Sequence, residues 1–275
     1  MHPDQLLCKE FVTSQIESIQ MKKIKIGNKD YSKIIIGTNA FYGHSHFSDA
    51  RDAEYKKRFS DEYIKNVINL CFNKGVNSIE TCANERIINI INDIKNEFTL
   101  NLIGTTRIDE TSLMKSHQIK LKYLIQNKAD MCIIHSQFVD RISSNEEING
   151  LKSMVDEIHS AGLLAGISTH KNSTVELCEK KYDIDVYLYP FNMLGFVYPG
   201  YNGKETIKER LDLIKNIDKP FIVMKPLAAG RIPPREGLEF VLDNIKDSDI
   251  ITLGIGSIEE AEESINIIDL YLSDK

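Results

Sequence analysis

From residue 34 to residue 254 the chain alternates short apolar runs with longer amphipathic stretches. The runs are IIIGT (34–38), NSIET (77–81), LNLIGTT (100–106), DMCIIH (130–135), LLAGIS (163–168), DVYLY (185–189), FIVMK (221–225) and IITLG (250–254). They are close to continuous in apolar character, as a parallel strand covered on both faces requires. The stretches between them repeat apolar residues at helical spacing. DEYIKNVINLCFNKG and EEINGLKSMVDEIHSAG each end on a glycine suited to a C-cap, and PPREGLEFVLDNI begins with proline at its first helical position. Strand–helix units repeated in this way specify a closed (β/α)8 TIM barrel of the α/β class. An open doubly wound sheet would carry a GxGxxG turn after its first strand, whereas here that strand runs into GTNAFYGHSHF. Ahead of the barrel, IKIGNKDYSK reads as a short hairpin turning at Gly27-Asn28. Residues 1–20 find no partner in the pattern. The expected organisation is an N-terminal extension over 1–20 and one barrel domain over 21–275.

Composition narrows the partners more than the fold. The 275 residues are 42% apolar and 27% charged, an ordinary globular balance. A net charge of -6, with Lys and Arg scattered among acids, argues against nucleic acid and reads as solvated helix faces. No apolar run approaches the ~20 residues that span a bilayer. The opening MHPDQLLCKEF is too polar for a secretory signal. Five cysteines (Cys8, Cys71, Cys82, Cys132, Cys178) are odd in number and lack CxxC spacing, so they read as reduced thiols in a cytoplasm. A small molecule is the expected partner, and the sequence is silent on oligomeric state.

Several segments carry a family likeness when taken in order. They are GTNAFYG after the hairpin, GVNSIETCANE at the second barrel strand, CIIHSQ at the fourth, GISTH at the fifth, VMKPLAAGRI at the seventh and GIGSIEEAEESI at the eighth. Together they resemble the aldo-keto reductase family over roughly residues 22–272. That resemblance implies an Asp, a Tyr, a Lys and a His that protonate a carbonyl while NAD(P)H delivers hydride. It sets the Asp at Glu80, the His at His135 and the Lys at Thr106 or Arg107. The Tyr has no counterpart, because ETCANE runs straight into the next helix. A carbonyl reducer built this way would need His135 or Arg107 as its acid. The family's nicotinamide-binding Ser-Asn pair corresponds to Ser168 and Thr169. Where relatives often place basic residues on the adenosine phosphates, this chain has Glu259, Glu260, Glu262 and Glu263. The backbone amides of Gly254, Gly256 and Ser257 are the remaining phosphate cradle.

The strand ends suggest a second chemistry. His44 and His46 follow the first barrel strand, Glu80 ends the second, Arg107 follows the third, His135 ends the fourth, His170 follows the fifth and Lys225 ends the seventh. Imidazoles and a carboxylate converging on one pocket suit a divalent transition metal (Zn, Mn, Fe, Co or Ni). His46, Glu80, His135 and His170 are the expected ligands. Lys225 and Arg107 would hold a substrate carboxylate, phosphate or enolate, and the metal would polarise a carbonyl or activate water. Against this stand blander readings: His135 as the family histidine, Glu80 in an ion pair with Lys225 or Arg107, and Cys82 as a buried thiol. The loop 190–204, PFNMLGFVYPGYNGK, is long enough for a lid. Tyr189, Asn192, Phe196 and Tyr198 are expected to line the pocket, with Tyr42 and Arg231 as further substrate contacts. The leading expectation is an enzyme for an oxygen-rich small molecule using metal-assisted lyase, isomerase or hydrolase chemistry. The alternative is an NAD(P)H-dependent oxidoreductase with an altered tetrad, and the third reading is a non-catalytic ligand-binding relative.

Overall fold

Each apolar run forms a strand. The hairpin is β1 (Lys23–Ile26) and β2 (Lys29–Ser32), and the barrel strands are β3 (Ile34–Gly37), β4 (Ser78–Cys82), β5 (Asn101–Thr106), β6 (Met131–Ile134), β7 (Leu164–Ser168), β8 (Val186–Pro190), β9 (Phe221–Met224) and β10 (Ile250–Gly254). All eight barrel strands are parallel and close in the order β10-β3-β4-β5-β6-β7-β8-β9. The computed structural model describes residues 21–95, 98–107, 113–142 and 145–274, so the extension read at 1–20 lies outside the described residues.

The helices between strands start and stop on local signals. They are α1 (Asp49–Arg58), α2 (Asp61–Asn73), α3 (Glu85–Ile94), α4 (Leu113–Gln126), α5 (Ser136–Val139), α6 (Asn145–Ser160), α7 (Asn172–Lys181), α8 (Ile207–Asn216), α9 (Pro234–Asn244) and α10 (Ile258–Ser273). Ser60 caps α2, and Thr206 with Glu209 forms a full capping box on α8. Gly75 and Gly162 follow α2 and α6 at φ 86° and 77°, the left-handed values that no Cβ opposes. No helix among the described residues is long and apolar enough to cross a membrane.

Alternation along the strands divides the core in two. One layer lies between strands and helices and includes Ile36, Ile79, Leu102, Ile134, Ile167, Tyr187, Val223 and Leu253. The other fills the barrel with Ile35, Ile103, Met131, Ile133, Val186, Leu188, Ile222 and Ile250. Ile24, Ile26 and Tyr31 of the hairpin join this inner layer, so the hairpin is the floor of the barrel. Burying each aliphatic side chain contributes roughly 1.5–3 kcal/mol.

Asn77 docks the floor. Its Oδ1 accepts from Ser32 N at 2.7 Å, its Nδ2 donates to the Asp30 carbonyl at 2.8 Å, and its own N–H donates to Ser32 Oγ at 3.0 Å. Asn101 Nδ2 donates to the same Asp30 carbonyl, and Lys29 pairs with Asp130. In Asn77→Ala we expect a loss of about 2 kcal/mol, because the Ser32 N–H loses its acceptor and the Asp30 carbonyl one of its two donors at a half-buried seam. Urea denaturation measures it; a change below about 0.5 kcal/mol would mean that apolar burial alone seats the hairpin.

Candidate active site

With the floor closed, only the C-terminal ends of the strands open to solvent. Alternation then decides which end residues face the opening. Ile35, Ile103, Ile133, Leu164, Leu188, Ile222 and Ile250 point inward, so the inward set one layer up contains Gly37, Glu80, Cys82, Thr105, His135, Ser168, Met224 and Thr252. Thr106, Thr81 and Tyr189 fall in the outward set.

The two imidazoles are held in complementary tautomers. His135 is the N-cap of α5, and its Nδ1 accepts the Gln137 N–H at 3.1 Å. That bond leaves the ring hydrogen on Nε2. Burial, reinforced by Arg107 and His170, pushes its pKa down to about 4, so it is neutral at pH 7. His170 has the opposite arrangement. Its Nδ1 lies 3.0 Å from Asp140 Oδ2, which also accepts the His170 N–H at 3.1 Å. With a proton on Nδ1, His170 keeps a bare Nε2. Burial lowers its pKa against the raising effect of Asp140. Asp140 is further fixed by Thr169 Oγ1 and by Thr174 Oγ1 at 3.3 Å.

Lys225 adds an amine to this wall. Met224 points into the barrel, so simple alternation would send Lys225 outward. A left-handed backbone at φ 61° breaks the alternation. The Asn192 side chain and the Ala228 N–H both bond the Lys225 carbonyl at 3.0 Å and hold that turn. The Lys225 ammonium sits over the Tyr198 ring, 5.6 Å from its centroid, and the His170 ring meets Tyr198 edge-on at 5.2 Å. Burial, and then Arg210, lower the Lys225 pKa to about 8. Glu80 lies deeper. Thr105 Oγ1 donates to its Oε1 at 2.6 Å, yet burial still raises its pKa. Neither Lys225 nor Arg107 acts on Glu80, so the expected ion pair does not form. Cys82 is raised to about 12 by burial and by Glu80, and is a thiol.

The loop after β8 is tied down from behind. Arg210 occupies the buried stripe of α8 with Leu213 and Ile214 and is 2% exposed. It donates to Tyr189 Oη at 2.8 Å and pairs with Glu205 at 3.4 Å. Tyr201 Oη donates at 2.9 Å to the His170 carbonyl and lies equally near Glu205. These contacts correct three expectations. Tyr189 points outward to Asn172 and Arg210 and lines no pocket. Asn192 spends its amide on Phe196, Leu194 and Lys225 backbone groups, so it shapes the loop. Tyr42 packs with the outer layer, its hydroxyl 2.7 Å from Thr81 Oγ1. Tyr198 lies against His170 and Lys225, and the Arg231 guanidinium sits over the rings of both Phe196 and Phe47, at 4.3 and 5.0 Å. Arg107 is exposed at the rim, with Nε 3.4 Å from Gln137 Oε1. Thr106 Oγ1 faces His117 at 3.3 Å outside the barrel.

The expected metal centre is also corrected. Among the described residues no group of three or more His, Cys, Asp or Glu side chains is placed to hold an ion. His135 and His170 each commit one nitrogen to the protein, Glu80 is bonded to Thr105, and His46 is exposed in a left-handed turn with its Nε2 3.5 Å from Asn39. The loop after β10 is better suited to anions. Gly256 N–H donates to Glu260 Oε2 at 2.9 Å, and a Cβ on Gly256 would fall 2.6 Å from that oxygen. Ser257 Oγ accepts the Glu260 N–H at 3.2 Å as the cap of α10. A carboxylate of the chain therefore stands in the cradle expected at Gly254, Gly256 and Ser257.

Asp140, Arg210, Tyr201 and Glu205 escaped sequence reasoning. Arg210 left a signal, a charge at a core position of an amphipathic helix. Asp140 left only its place five residues past His135.

No family model and no curated protein matches this sequence. Solved structures do. A Pseudomonas aeruginosa protein assigned as an aldo-keto reductase is 15% identical, with 95% of this chain and 100% of that one covered and a TM-score of 0.66. The glycerol dehydrogenase of Gluconobacter oxydans is 12% identical over 92% of this chain and 95% of its own, at a TM-score of 0.62. A Klebsiella pneumoniae aldo/keto reductase in complex with NADP and acetate is 13% identical over 90% of each chain, at 0.60. The chain thus has the aldo-keto reductase-like (β/α)8 barrel. With the absence of a ligand cluster among the described residues, these neighbours overturn the metal-assisted lyase, isomerase or hydrolase expectation.

Proposed function

We propose that the protein is an enzyme, an NAD(P)H-dependent oxidoreductase that reduces a small carbonyl compound at the C-terminal face of the barrel. The observation that carries this reading is His135. It ends β6 on the inner wall, and its Nδ1 bond to Gln137 leaves Nε2–H for a carbonyl oxygen. The structural neighbours include aldo-keto reductases, one of them in complex with NADP. The buried thiols Cys71, Cys132 and Cys178 support a reducing, cytoplasmic setting.

When bound, NAD(P)H supplies hydride to the carbonyl carbon. His135 polarises the oxygen as a neutral donor, since an imidazole with a pKa of about 4 holds no second proton at pH 7. Lys225 places a cation on the same wall and, with a pKa of about 8, serves as the acid near neutrality. Arg107 cannot take that role, because a guanidinium does not give up its proton. The ammonium thus comes from β9, where the family resemblance set a Lys on β5. Ser168, inward at the end of β7, would meet the nicotinamide amide. The Gly256 amide, with Arg58 donating to the Gly256 carbonyl at 2.7 Å, would meet a phosphate once the Glu260 carboxylate turns aside.

Consumption of NADPH or NADH with a panel of aldehydes and ketones tests the reading, with His135→Ala expected to lower kcat about 100-fold. The acid form of Lys225 is the active one. Activity should hold below pH 8 and fall about tenfold per pH unit above it. The groups facing Lys225 are Arg210, Asp140, His46, His135 and His170, and the histidines are neutral across that window. A flat profile from pH 7 to 10, or no nucleotide consumption with any carbonyl, would overturn it. Glu260→Ala frees the Gly256 amide and removes a like charge. NADPH should then bind about fivefold more tightly by calorimetry, a gain of ~1 kcal/mol; unchanged affinity would put the phosphates elsewhere.

A further inference from the structure

The surroundings of Lys225 go beyond what a hydride acceptor site needs. Its amine is enclosed, with no carboxylate or hydrogen-bond acceptor paired to it among the described residues. Arg210 penalises its positive charge and Asp140 favours it, while the neighbouring His46, His135 and His170 are neutral at pH 7 and offer it no counter-charge. Asp140 is already shared among Thr169, Thr174 and His170. An unpaired buried ammonium sheds its proton more readily than an exposed one. A desolvated lysine beside another cation, here Arg210, is the setting in which the amine becomes a nucleophile. The bare Nε2 of His170, whose ring packs edge-on to the same Tyr198 that the Lys225 amine lies against, provides a base on the same wall.

We propose that Lys225 condenses with an aldehyde or ketone to form an imine, with the His170–Asp140 pair as the proton shuttle, so that the barrel mouth carries a Schiff-base site. The neutral Nζ adds to the carbonyl carbon while His135 Nε2–H holds the carbonyl oxygen. Nζ loses two protons in turn and His170 Nε2 carries both: the first goes to the alkoxide to give the carbinolamine, and the second goes to its hydroxyl, which leaves as water. The C–O bond breaks, a C=N bond forms, and no oxidant or reductant is consumed. The imine, once protonated, draws electrons from the neighbouring carbon. The chemistry it opens is C–H proton exchange or carbon–carbon bond making and breaking. The site rests on the same Lys225 and His135 as the reductase reading, but no nicotinamide nucleotide takes part, so a failure of the trapping and a failure of the reductase reading are distinguishable.

Trapping with cyanoborohydride tests the site on the full chain without nucleotide, using acetaldehyde and pyruvate as carbonyl probes at pH 7.5 and peptide mass mapping. A fall in pKa from 10.5 to about 8 raises the free-amine fraction by roughly two orders of magnitude. Lys225 is therefore expected to be alkylated at least tenfold faster than the exposed Lys208 and Lys152. Lys225→Arg should abolish the fast adduct, and His170→Asn should slow it about tenfold without changing the mapped position. The wild-type ratio of Lys225 to Lys208 decides the matter even if Lys225→Arg does not fold. Equal labelling of Lys225 and the surface lysines, or trapping at Lys225 that His170→Asn leaves unchanged, would overturn the proposal.

Discussion

Closure of the barrel imposes a period of two on every strand, and the site depends on that constraint. One residue of each pair joins the helix layer and the next joins the interior. The hairpin fills the lower interior with Ile24, Ile26 and Tyr31, which leaves the inward residues at the upper end to line the mouth of the barrel. Glu80, Thr105, His135 and Ser168 reach the opening for this reason, and Thr81, Thr106 and Tyr189 do not. Lys225 escapes the rule by a left-handed turn. Such a turn costs roughly 1–2 kcal/mol for a residue with a Cβ, and it persists because Asn192 and Ala228 bond the carbonyl.

Charge is arranged behind the wall as carefully as on it. Asp140 faces His170 from α5's end, and Arg210 with Glu205 anchors the loop through Tyr201. The buried guanidinium has Tyr189, Tyr201 and Glu205 around it, so its burial is only partly compensated and its Nε stays unpaired. That residual field bears on Lys225. The same residues that fix the loop therefore set the ionisation of the pocket.

The strands were legible in the sequence to within about one residue, because buried parallel strands leave continuous apolar runs that nothing else in the chain mimics. His135, His170 and Lys225 were legible as strand-end residues. Their roles were not. A list of strand ends cannot show that Gln137 takes one nitrogen of His135 or that Asp140 takes one of His170, and the metal reading failed on those two bonds. Tyr189 was misplaced by the smallest error a strand allows, one residue, which reverses the face. Asn192 and Tyr42 look like pocket residues in one dimension and are bonded to the fold in three. Glu260 was recognised as an unwelcome charge for a phosphate, but its bond to Gly256 depends on the turn into α10, which only the folded chain displays.

The central claim is that the pocket presents one imidazole as a donor and the other as an acceptor at neutral pH. Long-range ¹H–¹⁵N correlation spectra of the side chains, assigned with His135→Gln and His170→Gln, read the tautomers directly. His135 should carry its hydrogen on Nε2 and His170 on Nδ1, both neutral at pH 7. The same tautomer on both rings, or an imidazolium at either position, would contradict the account.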